Sequence, residues 1–275
     1  GYLNQTTYPK YDAQKDIYAD IIKTISDATA ALDASKTIET SDLLYGGDIA
    51  KWKKFGYSLL LRAGMRLVKI DPALAQSTVQ KAVAGGLMTA NTDNAVIRHD
   101  ANYTNGVGQM LNSTEAANFY ITAPFVDYLK RTADPRLRAF AVRYVGAQSG
   151  PEQTAAKASL DTSLQIGMPM GLDNTGAVAE AKKLKLASFY DFSQVDRTRF
   201  AKNTASMFIL TYSQTSLLLA EAIQRGWASG SAGDAFKAGI RAHMEECAAH
   251  DAGSAIAAAD ITKYVDANPY DASKG

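Results

Sequence analysis

A mostly α fold, built of packed helical hairpins with long inserted loops, is what this sequence predicts. Three observations predict it. Apolar residues recur at three- and four-residue steps through 14–32, 49–67 and 73–84. Turn signals at Gly46-Gly47, Asp71-Pro72 and Gly85-Gly86 separate those runs. A second helical block closes the chain at 206–224 and 232–250. Helix, turn, helix, turn, helix is the layout of tetratricopeptide-type hairpins, although no clean repeat consensus runs through the chain.

Taken in order, residues 1–12 carry Tyr2, Tyr8, Pro9 and Tyr11 without a period and read as an entry segment. Asp12 is placed to cap the first helix, whose inward face is expected to hold Ile17, Ile21, Ile25, Ala28 and Leu32. Residues 35–41 form a polar connector. Tyr45-Gly46-Gly47-Asp48 is a tight turn, and Asp48 stands at the N-cap of the next helix. In that helix Trp52, Phe55, Leu59 and Ala63 form a core stripe, widened by Leu60 and Leu67. Lys51, Lys53 and Lys54 sit at the dipole end that disfavours cations and are expected in solvent. Pro72 suits a first helical turn, Leu74, Val79 and Val83 point inward, and Gly85-Gly86 ends that helix.

Residues 89–118 are polar, rich in Asn, Asp, Gly and Thr, and show neither helical nor strand period. A loop of this length in a compact domain is expected to be ordered and functional. A helix broken near Pro124 is expected over 119–130, a short strand over 140–144, and a helix over 177–186. The final helices are expected over 206–224 and 232–250, the latter with Phe236, Ile240 and Met244 on one face.

The chain has 275 residues, 47% hydrophobic and 21% charged, with 29 basic and 28 acidic residues giving a net charge of +1. That balance lacks the concentrated basic surface nucleic acid requires, and no apolar run is long enough to span a membrane. One cysteine, Cys247, leaves no internal disulfide framework. The chain opens on Gly1 without a signal sequence, as expected of a processed or partial chain.

Catalytic patterns are missing: no nucleophile elbow, no H-E-x-x-H, no phosphate loop and no dinucleotide fingerprint. Asp42, Asp48, Arg62 and Arg66 read as capping and pairing groups. Asp100, Asp127 and Asp134 are the weakest kind of glycosidase carboxylates, since nothing fixes their separation. No catalytic residue and no cofactor is expected. His243, Cys247 and His250, with Glu246 nearby, share a helix face, but their rise along one helix is too great to close easily round one ion. The expectation is a buried thiol and half-exposed histidines. The polar loop offers a different chemistry. His99, Asp100, Asn102, Tyr103, Asn105, Asn112 and Tyr120 combine rings that stack with amides and carboxylates that hydrogen-bond, which suits sugars. Asp100, Asn102, Tyr103, Asn105, Asn112 and Tyr120 are the expected ligand-binding set. The other reading is a loop whose aromatics plug its own small core.

The string D-x-L-Y-G-G-D-x-x-K-W-x-K-F-x-x-S-L-x-L-R-x-x-M-R over 42–66 resembles the SusD/RagB-like family of outer-membrane nutrient-binding lipoproteins. Further family-like strings follow in order: Pro9-x-Tyr11-Asp12-x-Gln14 before it, then Asp134-Pro135-Arg136-Leu137, Gly167-Met168-Pro169-Met170-Gly171, and L-L-x-A-E-A-x-x-R-G-W leading to G-x-A-F-x-x-G-I over 217–240. The resemblance implies a SusD-like α-superhelix and one domain over 1–275, incomplete at both ends. Helical hairpins would occupy 1–88, a polar insertion 89–118, mixed loops and short helices 119–205, and helices 206–275. It implies non-catalytic capture of glycan, or of peptide, on the extracellular face of the outer membrane. The partner would be a SusC-like TonB-dependent transporter. Membrane contact would come only through a lipid anchor outside this chain. A helical-repeat interaction scaffold is the alternative.

Overall fold

The computed structural model describes residues 8, 10–36, 39, 41–113 and 119–274. Parts of the expected entry segment and connector, and residues 114–118 of the polar loop, lie outside them. Among the described residues the helices are α1 (Gln14–Ala31), α2 (Ile49–Met65), α3 (Pro72–Gly85), α4 (Gly106–Ser113), α5 (Ala123–Arg131), α6 (Arg136–Phe140), α7 (Asn174–Lys183), α8 (Tyr212–Gln224), α9 (Ala232–His250) and α10 (Ala258–Ala267). The strands are β1 (Ala95–Ile97), β2 (Ala141–Tyr144), β3 (Ala158–Ser159), β4 (Gln194–Val195) and β5 (Met207–Leu210), with β1 paired to β5. The fold is mostly α, as expected. The chain divides into two compact units, one of Gly1–Ala95, Leu210–Gly239 and Asp271–Gly275, the other of Val96–Ile209 and Ile240–Tyr270.

The first unit is helical. Leu60, Leu61, Met65, Val79, Ala82, Leu87 and Ala222 form its core, with Ile22, Ile25, Leu218, Leu219 and Trp227 packed against it. Phe55 and Leu59 join a second cluster with Tyr45, Met88, Ala95, Leu210 and Tyr212. Helices α1 and α2 approach closely because Gly56 has no side chain: a Cβ there would lie 2.0 Å from Thr29 Oγ1 and 3.0 Å from Thr29 Cβ. The turn before α2 uses left-handed backbone at Gly46 (φ 59°) and Gly47 (φ 89°). Asp42 organises that turn. Its carboxylate accepts from the Leu44, Tyr45 and Gly47 amides and from Trp52 Nε1 at 2.8–3.2 Å. Burial works against its charge, but these donors outweigh burial and hold its pKa below the usual range. Asp48 caps α2 through the Lys51 amide, and Asp71 caps α3 through the Leu74 amide.

Three expectations change here. Helix α1 starts after Ala13, with no side-chain cap from Asp12. Its inward face is Ile22, Ile25, Ser26 and Thr29, while Ile17 and Ile21 are 45% and 39% exposed. The face turns because Thr29, not an isoleucine, fits beneath Gly56. Lys54 is structural rather than solvated: its ammonium donates to Asp93 Oδ2 at 2.8 Å and Thr89 Oγ1 at 3.0 Å.

In the second unit β2 sits between β3 and β4, antiparallel to both, with Arg143 opposite Ser159 and Val142 opposite Gln194. Ile121, Val126, Leu129, Leu137 and Ala141 form one core cluster, and Ala181, Leu186 and Phe192 another. Polar groups hold the rest. Arg143 pairs with Asp191 at 2.9 Å and donates to the Leu164 carbonyl at 2.7 Å. Arg199 pairs with Asp196 at 2.6 Å.

The expected loop over 89–118 contains a 3₁₀ turn at Asn91–Asp93, strand β1 and helix α4. Helix α5 begins at Ala123 with Pro124 in its first turn, instead of being broken by it. The residues before α5 are extended, Tyr120 bridging to Gln194 and Thr122 to Met168. The helix expected over 206–224 is strand β5 followed by α8, because Met-Phe-Ile-Leu is a short apolar run that periodicity alone does not assign. Helix α10 falls within the helical stretch expected over 206–275.

Candidate functional site

Strand β1 delivers the chain to a compact turn at 99–103. The Asp100 carboxylate accepts from the Asn102 amide at 2.8 Å and the Tyr103 amide at 2.7 Å. Those two amides hold its pKa below the usual carboxylate range. The Asp100 amide donates to the Tyr103 carbonyl at 3.1 Å, and His99 Nδ1 lies 3.1 Å from the same oxygen. The His99 ring stacks on the Tyr103 ring at 5.2 Å and 23°. Tyr103 is 63% exposed. The turn therefore holds an aromatic face ready in solvent, fixed from behind by an imidazole and from below by its own backbone.

The other expected ligand residues are placed differently. Asn105 is buried and caps α4, its Oδ1 accepting from the Val107 and Gly108 amides and its Nδ2 donating to the Ala205 carbonyl at 3.0 Å. Asn112 Nδ2 donates to the carbonyls of Gly108, Ala201 and Arg197 at 2.8–3.3 Å. Both amides pin α4 to the segment 197–205. Tyr120 is half-buried against the edges of Phe189 and Phe192, each 6.4 Å away. Burial pushes its phenol well above the ordinary range. Asp100, Asn102 and Tyr103 thus share one exposed turn, while Asn105, Asn112 and Tyr120 support the structure around it.

Of the carboxylates weighed for catalysis, Asp100 is held by the amides of its own turn and Asp127 is exposed on α5. Asp134 is buried; burial opposes its charge, but the Arg136 guanidinium outweighs it and keeps the carboxyl below its ordinary range. Arg136 also lies 3.1 Å from His243 Nδ1. Cys247 is buried, its thiol donating to the His243 carbonyl at 3.5 Å, and burial raises it to about 11. His250 lies between the rings of Phe200 and Phe208, 4.1 and 4.7 Å away. Among the described residues no three metal-binding side chains converge.

Two features escaped the sequence reading. Helix α5 exposes Phe125 and Tyr128, 46% and 47% accessible, beside the buried Val126 and Leu129. Phe125 stacks on Phe140 at 5.8 Å and the Arg131 guanidinium lies over Tyr128 at 5.4 Å. Their i, i+3 spacing is the signal that marks one helix face. The second feature is a cleft of ≈560 Å³ between α5, α6, the 162–163 segment and the start of α10. No sequence pattern signals it, because its walls come from four separate stretches.

The profile of the SusD-like family described as "Starch-binding associating with outer membrane" matches residues 2–275. Similar solved structures include a chitin-binding protein, with 29% identity and a TM-score of 0.79, aligned over 95% of this chain and 54% of that one. A SusD homologue from Bacteroides fragilis shares 26% identity with a TM-score of 0.76, over 97% and 56% of the two chains. A chitin-binding SusD homologue from Flavobacterium johnsoniae shares 24% identity with a TM-score of 0.70, over 94% and 48%. The chain spans about half the length of these solved relatives. No match was found among curated proteins. A family profile covering nearly every residue, and SusD homologues superposing on the same helices, lead to one conclusion: the chain belongs to the SusD-like family.

Proposed function

We propose that this chain is the glycan-capturing part of a cell-surface nutrient-uptake protein, and that it breaks no bond. The observation that carries the reading is the exposed Tyr103 ring, preformed over His99 and flanked by Asp100 and Asn102. A pyranose presents an apolar C–H face to such a ring and hydroxyls to the polar groups beside it. Family membership and the chitin-binding relatives support the ligand class. The absence of catalysis is supported by Asp100 and Asp134, whose carboxyls are both shifted down, whereas a glycosidase acid needs a raised one.

The further parts of the reading rest on the family. The protein sits on the extracellular face of the outer membrane as a lipoprotein and passes glycan to a SusC-like TonB-dependent transporter. No helix among the described residues is long and apolar enough to cross a membrane. A glycan array probed with the wild-type chain, Tyr103→Ala and Tyr120→Ala tests the capture step. Wild-type binding that Tyr103→Ala weakens supports the turn as the site. Silence from folded wild-type protein, with peptides binding instead, sinks the glycan reading in favour of a peptide-binding member of the family.

A further inference from the structure

We propose that the ≈560 Å³ cleft between α5, α6 and α10 is a second ligand subsite, one that reads the hydroxyls of a neutral sugar unit. The proposal rests on the glycan-capture reading and adds a separate site to it. The volume lies within the range of small-ligand pockets.

The lining decides the class of ligand. Its charged residues are Lys130, Asp134, Arg138 and Asp260, two of each sign. Two of the four are already committed. The Lys130 ammonium donates to the Ser163 and Gln165 carbonyls at 2.9 and 2.7 Å. The Asp134 carboxylate is held by Arg136 Nε at 2.9 and 3.1 Å. Arg138 and Asp260 are exposed, and neither side chain has a hydrogen bond or ion pair among the described residues. The cleft thus offers a free guanidinium, a free carboxylate and the Thr162 hydroxyl. An anion would meet Asp260, and a cation would meet Arg138. A neutral polyol uses both, because each hydroxyl donates and accepts.

Leu129, Pro135, Leu137 and Ile256 supply apolar wall for the C–H faces of a ring. Among the described residues no aromatic side chain lines the cleft, so recognition there depends on hydroxyl geometry rather than stacking. Its walls are also fixed in place. Arg199 donates to the Gly253 carbonyl at 2.9 Å and the Arg138 carbonyl at 3.1 Å, and Ser254 Oγ donates to the Ala139 carbonyl at 2.7 Å. A charge-neutral cleft on a hydrogen-bonded backbone frame, with unspent donors and acceptors on its side chains, suits hydrogen-bond recognition of a polyol.

The test is a calorimetric titration of the full chain with maltohexaose and with chitohexaose, run on wild type, Arg138→Ala, Asp260→Asn and Tyr103→Ala. Backbone-amide NMR shifts of the wild type are recorded beside it. The expected result is sugar-induced shifts at Thr162, Ser163 and 255–257, with affinity lowered about tenfold or more in Arg138→Ala and in Asp260→Asn. Both substituted residues are exposed, so the fold is expected to survive, and circular dichroism checks it. Wild-type affinity in both variants, or shifts confined to the Tyr103 turn, overturns the cleft and leaves glycan capture standing. A wild-type chain silent to both sugars overturns the cleft together with the glycan reading.

Discussion

The α1–α3 bundle and the loop-rich region from β2 to β4 are stabilised by different physics. In the bundle, apolar side chains such as Leu60, Leu61 and Val79 are fully buried, and backbones approach through Gly56. In the loop-rich region much of the interior is polar: Asp191, Ser193, Gln194, Asp196 and Arg143 are all buried. Arg143 donates to the Asp191 and Leu164 carbonyls, and the Asp191 and Asp196 carboxylates accept from the Ala187 and Thr198 amides, loop groups that no helix or sheet ladder would serve. Apolar packing tolerates gradual change. A buried polar network fails when one member goes, because the partner is left charged and dry.

The largest effect is therefore expected in the polar region. Asp191→Ala strands the buried Arg143 guanidinium and should cost about 3–5 kcal/mol in urea denaturation. A loss under about 1 kcal/mol would show that the network is not what holds these loops. In the bundle, Gly56→Ala drives a Cβ against Thr29, whose own Cβ lies 3.0 Å away, so rotating the Thr29 side chain does not relieve it. The expected cost is about 1–3 kcal/mol. The paired change Gly56→Ala, Thr29→Ser should recover part of it if the clash is the cause.

A third prediction concerns pH. Burial, then the nearby His243 and Lys202, push His250 down from 6.5 to about 4. The folded state holds it neutral, whereas the unfolded chain takes up a proton below about 6.5. Its contribution is full above that pH and is lost as pH falls towards about 4. His250→Phe keeps a ring between Phe200 and Phe208, so it should flatten the drop in denaturation midpoint between pH 7 and pH 5. An unchanged drop would assign that acid sensitivity to other groups.

The same contrast explains what was legible in the sequence. Helices α2 and α3 were legible because apolar periodicity drives their burial and Asp48, Pro72 and Gly86 mark their ends. The deepest apolar burial in α2 nevertheless falls on Leu60 and Leu61, while Trp52, Phe55 and Leu59 are only partly buried. The α1 face was misread because its fit is set by Thr29 under Gly56, a small-residue contact with no hydrophobic signature. Helix α4 stayed hidden because its eight residues include two glycines and are fixed by Asn105 and Asn112 bonding to carbonyls 100 and 89 residues away. That also limits the reading of the site. A polar loop residue open to solvent and one that satisfies the backbone are the same residue type, and only the fold separates the exposed Asn102 from Asn112, whose amide serves three carbonyls. The family strings, by contrast, include turns and caps such as Asp42 and Asp134, where local geometry dictates identity.

The glycan reading turns on Tyr103 serving ligand rather than fold. Side-by-side calorimetry and thermal melting of wild type and Tyr103→Ala, with the saccharide that binds best on the array, separates the two roles. The expected result is several-fold to tenfold weaker binding with an unchanged melting temperature, since the ring is 63% exposed and its truncation opens no cavity. A melting temperature several degrees lower, with affinity retained, would instead show that Tyr103 only braces its own turn.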